Sequence, residues 1–218
     1  MTILKRDDAA GVATLTLNMP AKLNPLSDEM LAELKAQLTD IAASDSKCVV
    51  LAAEGKAFCA GHNLKEMQSK DAAALKDLFD RCAEVMLLIQ SIPQPVIAQV
   101  QGMATAAGCQ LLATCDMAIS SDEAKFGVNG VNIGLFCSTP MVALTRNVSR
   151  KAAFEMLTTG RFIDAAEAQG LGLINRSVPA DALESEVRQL AETIASKRRG
   201  AVKLGKSAFY EQAQMSTA

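Results

Sequence analysis

Three short apolar runs, CVVLAA (48–53), VIAQV (96–100) and DMAISS (116–121), constrain the fold more than any other feature. Brief, mostly continuous apolar runs suit buried strands. Helical patterns separate them. SDEMLAELKAQLTDIAA opens at Ser27, a hydroxyl N-cap, with acidic residues in its first turn. Leu31, Leu34, Leu38 and Ile41 then recur on one face. A longer pattern spans 71–90, with Leu75, Leu78, Cys82, Val85 and Ile89 on one face. SIPQP ends it, because proline cannot continue a helix. ATLTLN (13–18) alternates and predicts a strand ahead of the first helix. Beyond AKFGVNGVNIGLFCSTP the pattern reads as almost all helical. Together these predict an α/β core over 1–162 and a helical C-terminal region over 163–218.

The chain's 218 residues suffice for one well-buried core and are short for two. A net charge of −2 supplies no basic face for a nucleic-acid backbone. No apolar run approaches membrane-spanning length. The N-terminus lacks a signal or transit signature, and the expected location is cytoplasmic. Six cysteines form no CxxC pair, and with a single histidine there is no zinc-ligand pattern. The expectation is free thiols in a reducing compartment, with no metal and no cofactor.

Two loops of small residues carry the chemistry. FCAGHNL follows the CVVLAA strand, and ATAAGCQ follows VIAQV and opens a helix. A helix start offers unpaired N–H groups, and small side chains let a ligand approach the backbone. Two such loops side by side would aim two N–H donors at one oxygen, forming an oxyanion hole. Tight helix–strand packing explains the same composition equally well at this level.

The stretches NMPAKLNPLSDEM, GKAFCAGHNLKEM, PVIAQVQGMATAAGCQLLATCDMAIS, AKFGVNGVNIGLF and TGRFIDAAEAQGLGLINRSVP, in this order and spacing, resemble the crotonase superfamily, the enoyl-CoA hydratase/isomerase family. The resemblance is strongest to the enoyl-CoA hydratase domain-containing branch, which shares AGHxLKE and GLFCSTP and lacks the catalytic glutamates. It implies a spiral of ββα turns, a CoA thioester as substrate or ligand, and a homotrimer or hexamer. It implies that the backbone N–H groups of His62 and Ala107 form the oxyanion hole, with Gly108 beside them. It also implies that His62, Asn63, Leu64 and Lys65 line the acyl pocket. Lys22, Leu23 and Ala60 would then sit near the CoA nucleotide. Relatives carry further C-terminal helices, so 163–218 is expected to be a shortened version of that region.

By the same resemblance, Gln110 and Gly130 stand where a hydratase has its two glutamates. Gln110 can orient water but cannot accept a proton near neutral pH, and Gly130 has no side chain. Losing one general acid or base costs roughly 10²–10⁴ in rate. The resulting expectation is an acyl-CoA-binding protein with weak or no hydratase activity. The alternatives are an enzyme relying on the oxyanion hole alone, such as an acyl-CoA decarboxylase, a non-catalytic CoA-ester sensor or partner, or a hydratase using Glu66 or Asp122. A His62 side chain that binds a substrate carboxylate would suit the decarboxylase. Cys137 as nucleophile lacks a basic partner in the sequence to lower its pKa.

Overall fold

The computed structural model describes residues 2–216. The chain begins with β1 (Leu4–Ala9), β2 (Val12–Leu17), α1 (Asp28–Ala43), β3 (Cys48–Ala53) and β4 (Ala57–Cys59). It continues through α2 (Leu64–Gln68), α3 (Ala72–Ser91), β5 (Val96–Val100), β6 (Met103–Thr105) and α4 (Ala107–Thr114). Then come β7 (Met117–Ser121), β8 (Lys125–Gly127), α5 (Pro140–Asn147), α6 (Arg150–Thr159) and β9 (Phe162–Asp164). The last elements are α7 (Ala165–Leu171), β10 (Arg176–Val178), α8 (Leu183–Ala195) and α9 (Arg199–Gln212).

Successive turns each give one strand to a six-stranded sheet, ordered β1-β2-β3-β5-β7-β10, and one to a four-stranded sheet, ordered β4-β6-β8-β9. Thus β3–β4, β5–β6 and β7–β8 are three rounds of one ββα spiral, the architecture the resemblance implied. Pairing is parallel except for β1 with β2 and β8 with β9. The larger sheet is covered on both faces. Val49 and Leu51 point into the main core with α1 and α3, while Cys48, Val50, Ala52, Ile97 and Ile119 pack under Leu183, Val187 and Ala191 of α8. This double cover explains why CVVLAA does not alternate.

The predicted helices form where the signals lie. Ser27 and Asp71 cap α1 and α3, accepting from the N–H groups of Met30 and Ala74. Leu31, Leu34, Leu38 and Ile41 are buried, each contributing roughly 2 kcal/mol of apolar burial. The C-terminal region is not all helical. β9 straddles the 162/163 boundary, and β10 extends the larger sheet beside β7.

Candidate active site: two small-residue loops meeting at the start of a short helix

The sharp turn at Gly61 is what lets FCAGHNL meet ATAAGCQ. Its φ of +86° is a conformation that side chains resist. A Cβ placed there would lie 3.1 Å from both the Ala106 Cβ and the Thr105 carbonyl oxygen, and 3.2 Å from the Ala107 nitrogen. The turn therefore abuts the first residue of α4. Gly108 makes the second close approach, since a Cβ there would fall 2.0 Å from the Cys59 carbonyl oxygen. Ala106 holds the helix start at φ 49°, ψ −121°, an unusual geometry for a residue with a side chain. Its N–H donates to the Gly127 carbonyl at 2.9 Å. The Ala107 and Gly108 N–H groups lie in the first turn, beyond the reach of the helix's own ladder.

A third segment joins these two. The Ala60 N–H donates to the Leu23 carbonyl (3.0 Å), and the Leu26 N–H donates to the Gly61 carbonyl (2.8 Å). Leu23 and Asn24 both take positive φ, 63° and 50°. Asn24 is fully buried and makes that bend possible. Its Oδ1 accepts from the Met19 N–H (2.7 Å), and its Nδ2 donates to the Glu54 (2.9 Å) and Ala57 (2.8 Å) carbonyls. Sequence reasoning missed Asn24, whose signal was only an asparagine before Pro25 in a non-helical stretch.

His62 is partly buried, with its ring edge-on to Phe79 at 5.4 Å between centroids. Its Nδ1 lies 3.1 Å from the Leu26 carbonyl oxygen. A carbonyl only accepts, so Nδ1 carries the proton. Nε2 is buried with no partner among the described residues. Burial holds the imidazole below its usual pKa, against the opposing effects of the Leu26 carbonyl and Asp28. A neutral ring with an Nε2 lone pair has no charge to offer a substrate carboxylate, which disfavours that role for His62.

Gln110 lies one turn into α4, buried, with its Oε1 unpartnered. Gly130 starts a 3-10 turn, Gly130–Ile133, beside this region. The Thr105 hydroxyl ties that turn to the start of α4 by donating to Asn129 Oδ1 at 2.5 Å, a link that the sequence did not reveal. A Cβ on Gly130 would sit 2.7 Å from the Leu135 carbonyl oxygen and 2.9 Å from Cys137 Sγ. A side chain there thus requires residues 135–137 to move. Cys137 Sγ instead accepts from the Gly130 N–H at 3.4 Å, and burial raises its pKa. Cys59 and Cys109 are pushed up to about 12 by burial. None of these thiols is set up as a nucleophile.

The remaining sequence candidates divide. Asn63 caps α2, its side chain accepting from the Glu66 N–H, while Leu64 and Lys65 are exposed on that helix. Lys22 is exposed at the end of the 3-10 turn Pro20–Lys22. Glu66 accepts from the Asp28 N–H at 3.2 Å and lies 3.7 Å from Lys70, which directs it to the start of α1. Asp122 is exposed beyond β7, with its N–H on the Val178 carbonyl of β10. Neither carboxylate is held against the paired loops. Concavities of about 590 and 600 Å³ lie elsewhere, under α8 and beside α9. Neither is lined by the start of α4 or by the paired loops, so the backbone geometry locates the site better than volume does. Among the described residues no group of three or more His, Cys, Asp or Glu converges on a metal position. No described helix is long and apolar enough to cross a membrane.

The sequence pattern of the enoyl-CoA hydratase/isomerase family matches residues 7–218. The mouse protein named enoyl-CoA hydratase domain-containing protein 3, mitochondrial, is 48% identical over 206 residues, covering 93% of this chain and 68% of its own length. The crystal structure of its human counterpart superposes with a TM-score of 0.96 at 44% identity, covering 99% of this chain and 86% of that one. A crystal structure of enoyl-CoA hydratase from Mycobacterium smegmatis gives a TM-score of 0.98 at 52% identity, covering 100% and 86%.

Proposed function

The chain belongs to the enoyl-CoA hydratase/isomerase family, and from that premise we propose that it binds acyl-CoA thioesters and hydrates them weakly or not at all. The carrying observation is the close approach of the Gly61 turn to the start of α4, where a Cβ built on Gly61 would lie 3.2 Å from the Ala107 nitrogen. On this reading the His62 and Ala107 N–H groups flank the Gly61 Cα, and a thioester oxygen accepts from both. Such donors stabilise an enolate or tetrahedral oxyanion, and removing one costs roughly 10²–10³ in rate where chemistry occurs. Low hydratase activity is supported by Gln110, which cannot act as a base, and by Gly130, whose Cα is closed in by Leu135 and Cys137. Leu23 and Ala60 are bonded to each other beside the turn and suit the mouth of the pocket, with Lys22 exposed next to them to meet phosphate. Asn63, Leu64 and Lys65 form the adjoining wall, and Gly108 backs the hole. The free, buried cysteines suit a reducing compartment such as the cytoplasm. The expected assembly is a homotrimer or hexamer.

The test is calorimetry and turnover with crotonyl-, malonyl-, methylmalonyl- and acetoacetyl-CoA. The expected result is binding, with crotonyl-CoA hydration at least 10²-fold below a relative that has both glutamates. Hydration at a two-glutamate rate refutes the low activity. Turnover confined to malonyl- or methylmalonyl-CoA assigns a decarboxylase, and no binding of any thioester removes the reading.

A further inference from the structure

We propose that the His62 imidazole is a positioning group: through Nδ1 it fixes the peptide whose N–H completes the oxyanion pair. This rests on the acyl-CoA reading above and adds a role for the side chain. Leu26 holds the Gly61–His62 peptide at two points. Its N–H donates to the Gly61 carbonyl at 2.8 Å, and its carbonyl accepts from His62 Nδ1 at 3.1 Å. Leu26 and His62 also pair there as an isolated parallel bridge outside the named strands. In a trans peptide the carbonyl and the following N–H point in opposite directions. Seating the Gly61 carbonyl on Leu26 therefore turns the His62 N–H away from Leu26 and frees it for a ligand. One hydrogen bond leaves a peptide free to rock about that bond. The second, reached through the side chain, closes a ring around it.

The other ring nitrogen contributes nothing comparable. Nε2 is buried with no partner among the described residues. The edge contact with Phe79 holds the ring plane. The positioning proposed here acts through Nδ1, the ring nitrogen with a hydrogen-bond partner among the described residues.

Two variants separate the nitrogens. In His62→Asn the side-chain amide nitrogen can occupy the place of Nδ1, whereas in His62→Gln the amide reaches the place of Nε2. His62 is the chain's single histidine, so long-range ¹H–¹⁵N spectra of the whole protein report this ring alone. The expected spectrum at pH 7 is the neutral Nδ1–H tautomer, and an Nε2–H tautomer overturns the proposal. Amide exchange at Leu26 should quicken in His62→Ala and stay slow in His62→Asn. Affinity for acetoacetyl-CoA should fall roughly three- to tenfold in His62→Ala and His62→Gln, and recover in His62→Asn. Recovery by Gln and not Asn, or unchanged binding by Ala, overturns the clamp. The spectrum and Leu26 exchange need no ligand. A wild-type protein that fails to bind the thioester but shows both signatures loses the acyl-CoA reading and keeps the clamp.

Discussion

One α-carbon, that of Gly61, sets the spacing between the two proposed donors. With φ +86° and three neighbours within 3.1–3.2 Å of a built Cβ, it excludes any side chain without displacement. Gly61→Ala brings backbone strain of roughly 1–3 kcal/mol and a methyl group against Ala107. We expect a lower melting temperature and at least a tenfold loss of acetoacetyl-CoA affinity, measured by calorimetry on the folded variant. Wild-type affinity in Gly61→Ala would show that the turn does not set the hole. Small residues at tight approaches announce themselves in a sequence, which is why FCAGHNL and ATAAGCQ were legible. Asn24 and the Thr105–Asn129 pair were not. Their meaning lies in partners up to 33 residues away, as with Asn24 and Ala57. Nor does a sequence disclose that Leu135 and Cys137 crowd Gly130. That crowding means that a Gly130→Glu side chain fits only if residues 135–137 move.

Elements were legible in proportion to their length. α1, α3, β3 and β5 carry enough residues to show a period or a continuous apolar run. β4, β6 and β8 have three residues each, too few for a period, and exist because the spiral brings them together. β1 reads LKRDDA, and its charges suit an edge strand paired only with β2. α9 is a helix whose one buried residue is a lysine. Lys206 Nζ donates to the carbonyls of Ile89 (2.8 Å) and Gln94 (2.9 Å) and to Asp116 Oδ2 (2.7 Å). Asp116 also accepts from the Val96 N–H (2.6 Å) and the Tyr210 hydroxyl (2.7 Å). Burial lowers the Lys206 pKa against the pull of Asp116. Removing one partner of a buried pair leaves the other charge unmatched, at a cost of about 3–5 kcal/mol. We therefore expect Lys206→Met to destabilise by about 3 kcal/mol in urea unfolding and to quicken exchange along α9 first. Adding Asp116→Asn should recover part of the loss. A neutral Lys206→Met would mean that α9 is held by something other than this network.

At the scale of the whole molecule, the spiral buries its own core and leaves apolar side chains outside it. Ile133 (59% exposed), Leu135 (50%), Phe136 (48%), Val142 (48%) and Phe154 (64%) lie on the 3-10 turn, the segment after it, α5 and α6, with α6 packed against both α5 and the turn. Asn132 Nδ2 donates to the Gly160 carbonyl at 3.3 Å, which joins the 3-10 turn to the end of α6. Scattered exposed leucines are ordinary, but aromatic and aliphatic side chains gathered on neighbouring segments are the usual mark of a protein–protein contact. The 3-10 turn that presents Ile133 begins at Gly130, beside the proposed acyl site, so a subunit packed there would also stiffen the turn. We expect the protein to run as a trimer or hexamer in light scattering. Val142→Asp and Phe154→Asp should shift it toward monomer with little change in circular dichroism, because neither side chain contributes to the subunit core. Acetoacetyl-CoA affinity should weaken in step with dissociation if the contact braces residues 130–137. A monomer at high concentration in the wild type, or an assembly indifferent to both substitutions, would place the contact elsewhere or remove it.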